Sequence, residues 1–184
     1  EIEEKLLNAK AEIKNLKWDN VVEKNLDFVR NNLCNYVNKA TKIGWISTWD
    51  SNCGIASYSR RLTKSMQDDL IIFSPLHENS SVDNLNVIPS WELIQKDKQN
   101  LDLLFTKIVT KNITSLVIQF NYGFFEFDKL ATFIQKCKEH SINIIFFLHS
   151  TIDPPKDDSK SLHLLVDSFK KCERLFVHSV NDLN

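Results

Sequence analysis

Glycine is scarce in this sequence, which has only three glycines in 184 residues, Gly44, Gly54 and Gly123. They do not form the G-x-G-x-x-G fingerprint of dinucleotide-binding proteins or the phosphate-binding P-loop of NTPases. Both of these functions are therefore disfavoured. Each glycine that is present needs a local reason, such as a tight turn or a close approach between the backbone and a ligand.

Cysteine pairs and metal-binding clusters are also missing from the pattern. The four cysteines are Cys34, Cys53, Cys137 and Cys172, and none forms a C-x-x-C pair. No two histidines have metal-ligand spacing, so we predict no metal site. Isolated cysteines on apolar faces are typical of small buried side chains in a reducing compartment.

A large excess of positive or negative charge is absent as well, and so are long apolar runs. The formal net charge is -1, which gives no overall field for attracting nucleic acid. The sequence shows no signal-peptide pattern and no apolar run long enough to span a bilayer. We expect a cytoplasmic protein without a nucleic-acid partner or a transmembrane segment.

Alternating strands and helices begin at Thr41. The strands are continuous apolar runs, which indicates that both faces of the sheet are buried, as in a parallel sheet covered by helices. Strand–helix alternation of this kind predicts an α/β, Rossmann-like, doubly wound parallel sheet. Predicted strands are centred on residues 42–47, 70–73, 87–89, 116–120, 143–148 and 175–177, and helices on 55–66, 101–108, 130–137 and 162–169.

Ligands of such sheets bind outside the carboxyl ends of the strands, so the residues that follow each strand are candidates for a site. Gly54 lies where a loop enters a helix and either helps to bind an anion or only permits the turn. His149 follows the most apolar strand and either hydrogen-bonds a substrate hydroxyl or bonds within its own loop. Asp153 is interpreted as a turn residue, and His178 occupies the position after the last strand.

Four segments at these strand ends form an ordered set: GWISTWDSNCGIASYS at 44–59, LVIQFNYGFF at 116–125, FFLHS at 146–150 and LFVHS at 175–179. In this order they resemble the retaining GT-B glycosyltransferases often labelled group 1, or family 4 type. Asn121 stands where that family has an acidic residue. The resemblance covers residues 42 to about 182 and implies the N-terminal, acceptor-side half of a GT-B fold.

The resemblance implies a hexosyltransferase-like enzyme of polysaccharide biosynthesis. Such an enzyme moves a sugar, with retention, from a nucleotide-diphosphate sugar to a glycan, lipid-linked or protein-linked acceptor, without a cofactor or metal. It also implies a C-terminal GT-B domain as partner and contact with the inner face of the membrane. The implied site has His149 near the transferred sugar, a donor-phosphate group of Asn52, Cys53, Gly54 and Ile55, and a cleft-lining group of Asp50, Tyr122, Gly123 and Ser150.

Residues 1–38 carry apolar residues at helical spacing and predict a helical segment ahead of a domain at 41–184. Residues 11–29 resemble the closing helices of the same fold. One hypothesis is therefore a tandem transferase cut at both ends, and the other is an ordinary N-terminal extension. A non-catalytic GT-B-like binding or scaffold module is the alternative to an enzyme.

Overall fold

Six parallel strands form the centre of the computed structural model, which describes residues 41–64, 66, 70–77, 86–94, 99–155 and 157–178. The predicted helical segment 1–38 lies outside these residues. The domain division and the tandem hypothesis therefore stay predictions.

The sheet has the order β3-β2-β1-β4-β5-β6, and every neighbouring pair is parallel. The chain first winds outward from β1 to β3, then crosses back and winds outward again from β4 to β6. This reversal confirms the predicted doubly wound α/β fold and places its switch point between β1 and β4. The strands are β1 Ile43–Ile46, β2 Leu70–Pro75, β3 Asn86–Trp91, β4 Ser115–Phe120, β5 Asn143–Leu148 and β6 Arg174–Val177.

The described helices cover both faces of the sheet. Two of them are followed, just beyond their last turn, by a residue with positive φ: Asn112 at 55° and Ser141 at 57°. This left-handed position after a helix is usually a glycine, so this glycine-poor chain uses asparagine and serine instead. The α-helices are α1 Gly54–Thr63, α2 Asp102–Thr110, α3 Phe127–Glu139 and α4 Val166–Phe169, and two 3₁₀ helices are Asp158–Lys160 and Leu162–Leu165.

Two predicted elements differ from the structure. The third strand does not close at Pro89 but runs on to Trp91, whose indole Nε1 donates to the Phe73 carbonyl at 2.9 Å. Proline is tolerated because β3 is the outermost strand on its side. The helix predicted over 162–169 is instead a 3₁₀ turn followed by one α turn.

The larger apolar core lies on the face covered by α2 and α3, where side chains such as Phe120 and Phe146 are fully buried. Gly44 faces this core: a Cβ there would lie 2.8 Å from Leu116 Cδ1 and 2.9 Å from Phe73 Cε2. Close packing therefore explains Gly44. The opposite face carries the alternate strand residues and is covered by α1. The hydroxyl of Ser59 on α1 lies 2.7 Å from that of Ser47, the residue after β1.

Candidate functional site

The carboxyl edge of the sheet collects the loops after β1, β4, β5 and β6. The predicted site residues all lie in these loops or at the start of α1, because parallel strands end at one edge.

Cys53 caps the N-terminus of α1 through its sulfur. The Sγ atom accepts from the Ala56 amide at 3.3 Å and lies 3.1 Å from Thr48 Oγ1 and 3.4 Å from Ser51 Oγ. Burial raises the pKa of this thiol, but hydrogen bonds from Ser51, Thr48 and the backbone outweigh burial, so the pKa lies below its ordinary value. The cap thus favours negative charge at the start of the helix.

Gly54, the first residue of α1, is open to solvent. A Cβ at this position would meet no atom within 4 Å, so the packing of the chain does not require glycine here. The first turn of α1 contains no acidic residue. Asn52 is exposed and Ile55 is half-buried beside it. The first turn of α1 therefore presents neither a side chain at position 54 nor a carboxylate of its own to an approaching anionic ligand.

His149 is half-buried at the end of β5, and its Nε2 lies 2.7 Å from Gln119 Oε1. Burial, with a smaller contribution from His178, lowers its pKa to about 4. The imidazole is therefore neutral near pH 7. As oriented, the amide oxygen accepts from Nε2–H, which leaves Nδ1 as an acceptor.

Two further aromatic rings complete a cluster around His149. The imidazole of His178 lies 4.6 Å from that of His149, measured between ring centroids. Tyr58, on α1, stands edge-on to both, at 5.2 Å from His149 and 5.1 Å from His178. Burial raises the pKa of Tyr58 to about 12, so its hydroxyl stays protonated.

Gln119 is fully buried, yet its amide nitrogen has no hydrogen-bond partner. Gln99, also buried, provides a contrast within the same chain. Its Nε2 donates to the Glu92 and Phe124 carbonyls, and its Oε1 accepts from the Glu126 amide at 2.8 Å. Buried amides are normally satisfied in this way. The unsatisfied nitrogen of Gln119 thus sets it apart as a group available to a ligand.

The predicted cleft-lining residues are not all brought to His149. Asp50 lies 3.5 Å from Arg60, which ties the loop after β1 to α1. Tyr122 packs with Phe120 on the α3 side of the sheet and donates its hydroxyl to Asp153 at 2.8 Å. Tyr122 is therefore a core residue in this structure.

The remaining two predicted residues stay at the edge of the sheet. Gly123 is exposed, with its amide 3.0 Å from Asn121 Oδ1, and Ser150 is half-buried next to His149 in sequence.

Sequence reasoning missed Tyr58 and Gln119 as members of the site. Gln119 had a signal, because it is the one polar residue inside the apolar run 116–120. Tyr58 had no such signal in the sequence beyond its position on the first helix. Its role follows from the sheet order, which places the ends of β5 and β6 beneath that helix.

Within the described ranges, no group of three or more His, Cys, Asp and Glu side chains is placed to hold a metal ion. The helices described above include none that is long and apolar enough to cross a membrane.

The chain was compared with known proteins. No family model matches it, and no curated protein matches. Among solved structures it is similar to a PLP-bound C-S lyase from Staphylococcus hominis, at 15% identity and a TM-score of 0.47. That alignment covers 84% of this chain and 35% of the lyase. The same lyase in its external aldimine form with L-cycloserine matches at 14% identity and a TM-score of 0.47, over 85% of this chain and 34% of the lyase. The chain thus spans about a third of the length of these structures.

These comparisons overturn the family assignment. The matching structures are PLP-bound C-S lyases and not glycosyltransferases, and no glycosyltransferase family model matches. The predictions of a retaining GT-B enzyme, of sugar transfer in polysaccharide biosynthesis and of a cofactor-free reaction on a nucleotide sugar are therefore wrong. The alternative of a non-catalytic GT-B-like module gains no support from the comparisons either.

The lyase similarity does not transfer PLP chemistry to this chain. PLP enzymes hold the cofactor through a Schiff-base lysine, with an aspartate or arginine at the pyridine nitrogen. The described contacts of His149 are with Gln119, Tyr58 and His178, none of which is a lysine. Lys160 is buried elsewhere, with its ammonium 2.8 Å from the Phe125 carbonyl. The described strand-end residues do not fit PLP.

Proposed function

We propose that this chain binds a small phosphate-bearing molecule at the carboxyl edge of its sheet. The observation that carries the proposal is the pairing of His149 with Gln119. A neutral imidazole and an unsatisfied buried amide nitrogen lie side by side where ligands of doubly wound sheets bind.

The two parts of the site offer different chemistry. The open start of α1 offers backbone dipoles to an anionic group, with Asn52, Gly54 and Ile55 around it and Cys53 as the cap. His149 and Gln119 offer a hydrogen-bond acceptor and a donor to a neutral polar group, such as a hydroxyl. Asp50, Gly123 and Ser150 belong to the same edge as lining residues.

The partners predicted from sequence stay predictions, as does the cytoplasmic location at the inner face of the membrane. A soluble phosphorylated metabolite is compatible with a location in the cytoplasm and with one at the inner face of the membrane.

NMR titration of the full chain with glycerol 3-phosphate and inorganic pyrophosphate tests the proposal. Binding should shift the backbone amides of residues 52–56 and the ring signals of His149. His149→Gln should weaken glycerol 3-phosphate binding roughly fivefold, because one hydrogen bond is worth about 1 kcal/mol. The matched control is His163→Gln, at an exposed position in the second 3₁₀ helix.

Pyrophosphate separates the two parts of the site, because it carries no hydroxyl-bearing carbon skeleton. We expect it to shift residues 52–56 and to bind the His149→Gln chain as tightly as the unsubstituted chain. Absence of any shift at 52–56 with both compounds would overturn the proposal.

A further inference from the structure

Helix α1 is held to the sheet by much less apolar surface than α3. Its buried residues are Ala56, Ser59, Leu62 and Thr63, of which only Leu62 is a large apolar side chain. Burial of large apolar side chains is the main force that fixes a helix to a sheet. By contrast, α3 buries Phe127, Leu130, Phe133, Ile134 and Cys137.

A polar row lies beneath α1 at the carboxyl ends of three strands. Ile46 pairs with Phe73 on β2 and with Ile118 on β4. The next residues, Ser47, Ser74 and Gln119, therefore align across the three strands on the opposite face. Ser47 identifies this face as the α1 side, through its bond to Ser59.

Two side chains of this row are unsatisfied. Ser74 Oγ and Gln119 Nε2 are buried without a hydrogen-bond partner, and so is the indole nitrogen of Trp45 on the same face. A buried polar atom without a partner destabilises the packing around it, because its bonds to water are lost without replacement. In the described part of the chain, all three such atoms lie on the side of the sheet covered by α1.

Tyr58 connects α1 to the ligand site. Its ring stands edge-on to the imidazoles of both His149 and His178. If α1 moves away from the sheet, Tyr58 leaves these rings, and water or a ligand can reach Gln119.

We propose that α1 acts as a lid: it leaves the sheet by unfolding locally while α3 stays packed, and its opening controls access to His149 and Gln119. The opening is inferred from the small apolar contact of α1 and from the unsatisfied polar atoms on that face of the sheet. Only the effect of the opening on a ligand rests on the proposed function. Local opening of this kind is a normal property of the least stable parts of a fold.

Hydrogen exchange of the full chain without ligand measures the opening directly. The backbone amides of residues 58–63 in α1 should exchange at least tenfold faster than those of residues 131–139 in α3. Ser74→Ala removes an unsatisfied atom without breaking a hydrogen bond, so it should slow exchange in α1 severalfold and leave exchange in α3 unchanged. Circular dichroism confirms that the variant is folded.

Ser90→Ala is the matched control, because the buried Ser90 hydroxyl already donates to the Ile88 carbonyl at 2.9 Å. This substitution should not slow exchange in α1. Equal protection of α1 and α3, or unchanged α1 exchange in Ser74→Ala, would overturn the lid. Fast α1 exchange without any phosphate binding would support the lid and refute the proposed function.

Discussion

His149 combines partial burial with one short side-chain hydrogen bond and a second imidazole close by. Burial and the second imidazole disfavour a positive charge on the ring, because a buried cation loses solvation and His178 offers no compensating negative charge. His149 is therefore suited to hydrogen bonding and not to ion pairing with phosphate. In the proposed site, the start of α1 supplies the attraction for an anion.

The stability of the protein should depend on pH through His149. Histidine in an unfolded chain has a pKa of about 6.5, whereas that of folded His149 is lowered to about 4. The folded state binds fewer protons between these values, so the free energy of unfolding should fall as the pH drops from 6.5 to 4. The shift corresponds to a loss of about 3 kcal/mol, and solvent screening of this partly exposed ring reduces our expectation to roughly 2 kcal/mol.

Urea unfolding at pH 7.5 and 4.5 measures this loss. His149→Gln should lose roughly 2 kcal/mol less than the unsubstituted chain over the same interval, whereas His163→Gln should behave like the unsubstituted chain. Equal losses in the His149→Gln chain and the unsubstituted chain would show that His149 is not held neutral.

Two glycines should respond to alanine in opposite ways. Gly44→Ala places a methyl group less than 3 Å from Leu116 and Phe73 and should lower the free energy of unfolding by about 1–3 kcal/mol. Gly54→Ala meets no atom within 4 Å and should be neutral or stabilising by up to about 1 kcal/mol, since it restricts the unfolded chain. Thermal unfolding of the two variants checks this, and a similar loss in both would contradict it.

At the scale of elements, the loop after β5 is fixed by one carboxylate. Asp153 accepts from the Tyr122 hydroxyl at 2.8 Å, from the Leu162 amide at 3.0 Å and from the Ser161 hydroxyl at 2.8 Å. The Leu162 amide first, and then the two hydroxyls, hold its pKa below the ordinary value. Asp153 is thus more than the turn residue that the sequence indicated, because it joins β4, β5 and the second 3₁₀ helix.

Asp153→Ala should lower the free energy of unfolding by about 1–3 kcal/mol, because it leaves the partly buried Tyr122 hydroxyl without its acceptor. Asp157→Ala is a control of the same type, because the carboxylate of the exposed Asp157 accepts from its near neighbour Ser159 in the first 3₁₀ helix. Denaturant unfolding should show the larger loss for Asp153, and equal losses would show that the three bonds contribute little.

At the scale of the whole molecule, the two faces of the sheet differ in composition. The α2 and α3 side is a continuous apolar core, whereas the α1 side includes the polar row of Ser47, Ser74 and Gln119. The first face therefore carries most of the stability, and the second face meets the ligand site. Such a division lets the α1 side open without unfolding the core.

Paired substitutions on neighbouring strands measure the contribution of the core. Phe146 on β5 is fully buried and aligns with Leu175 on β6, which is 44% exposed. Phe146→Ala should lower the free energy of unfolding by about 3–5 kcal/mol, and Leu175→Ala by no more than about 1 kcal/mol. Comparable losses would show that the apolar core does not dominate stability.

The strands were predictable because burial of both faces leaves a continuous apolar run, as in β4 and β5. The edge that carries the site followed from the parallel order. The contact between His149 and His178 was not predictable in detail, since it depends on which strands are neighbours. The family assignment failed for a related reason. A segment such as FFLHS indicates a buried strand that ends at the edge of a sheet. Many unrelated α/β proteins share that feature.

Pro89 has a consequence for association between copies of the chain. It lies in β3, the outermost of the described strands on one side of the sheet, and a proline has no backbone N–H to offer. Proline on an outer strand disfavours pairing with a strand of another molecule, so Pro89 makes β3 a poorer template for edge-to-edge aggregation.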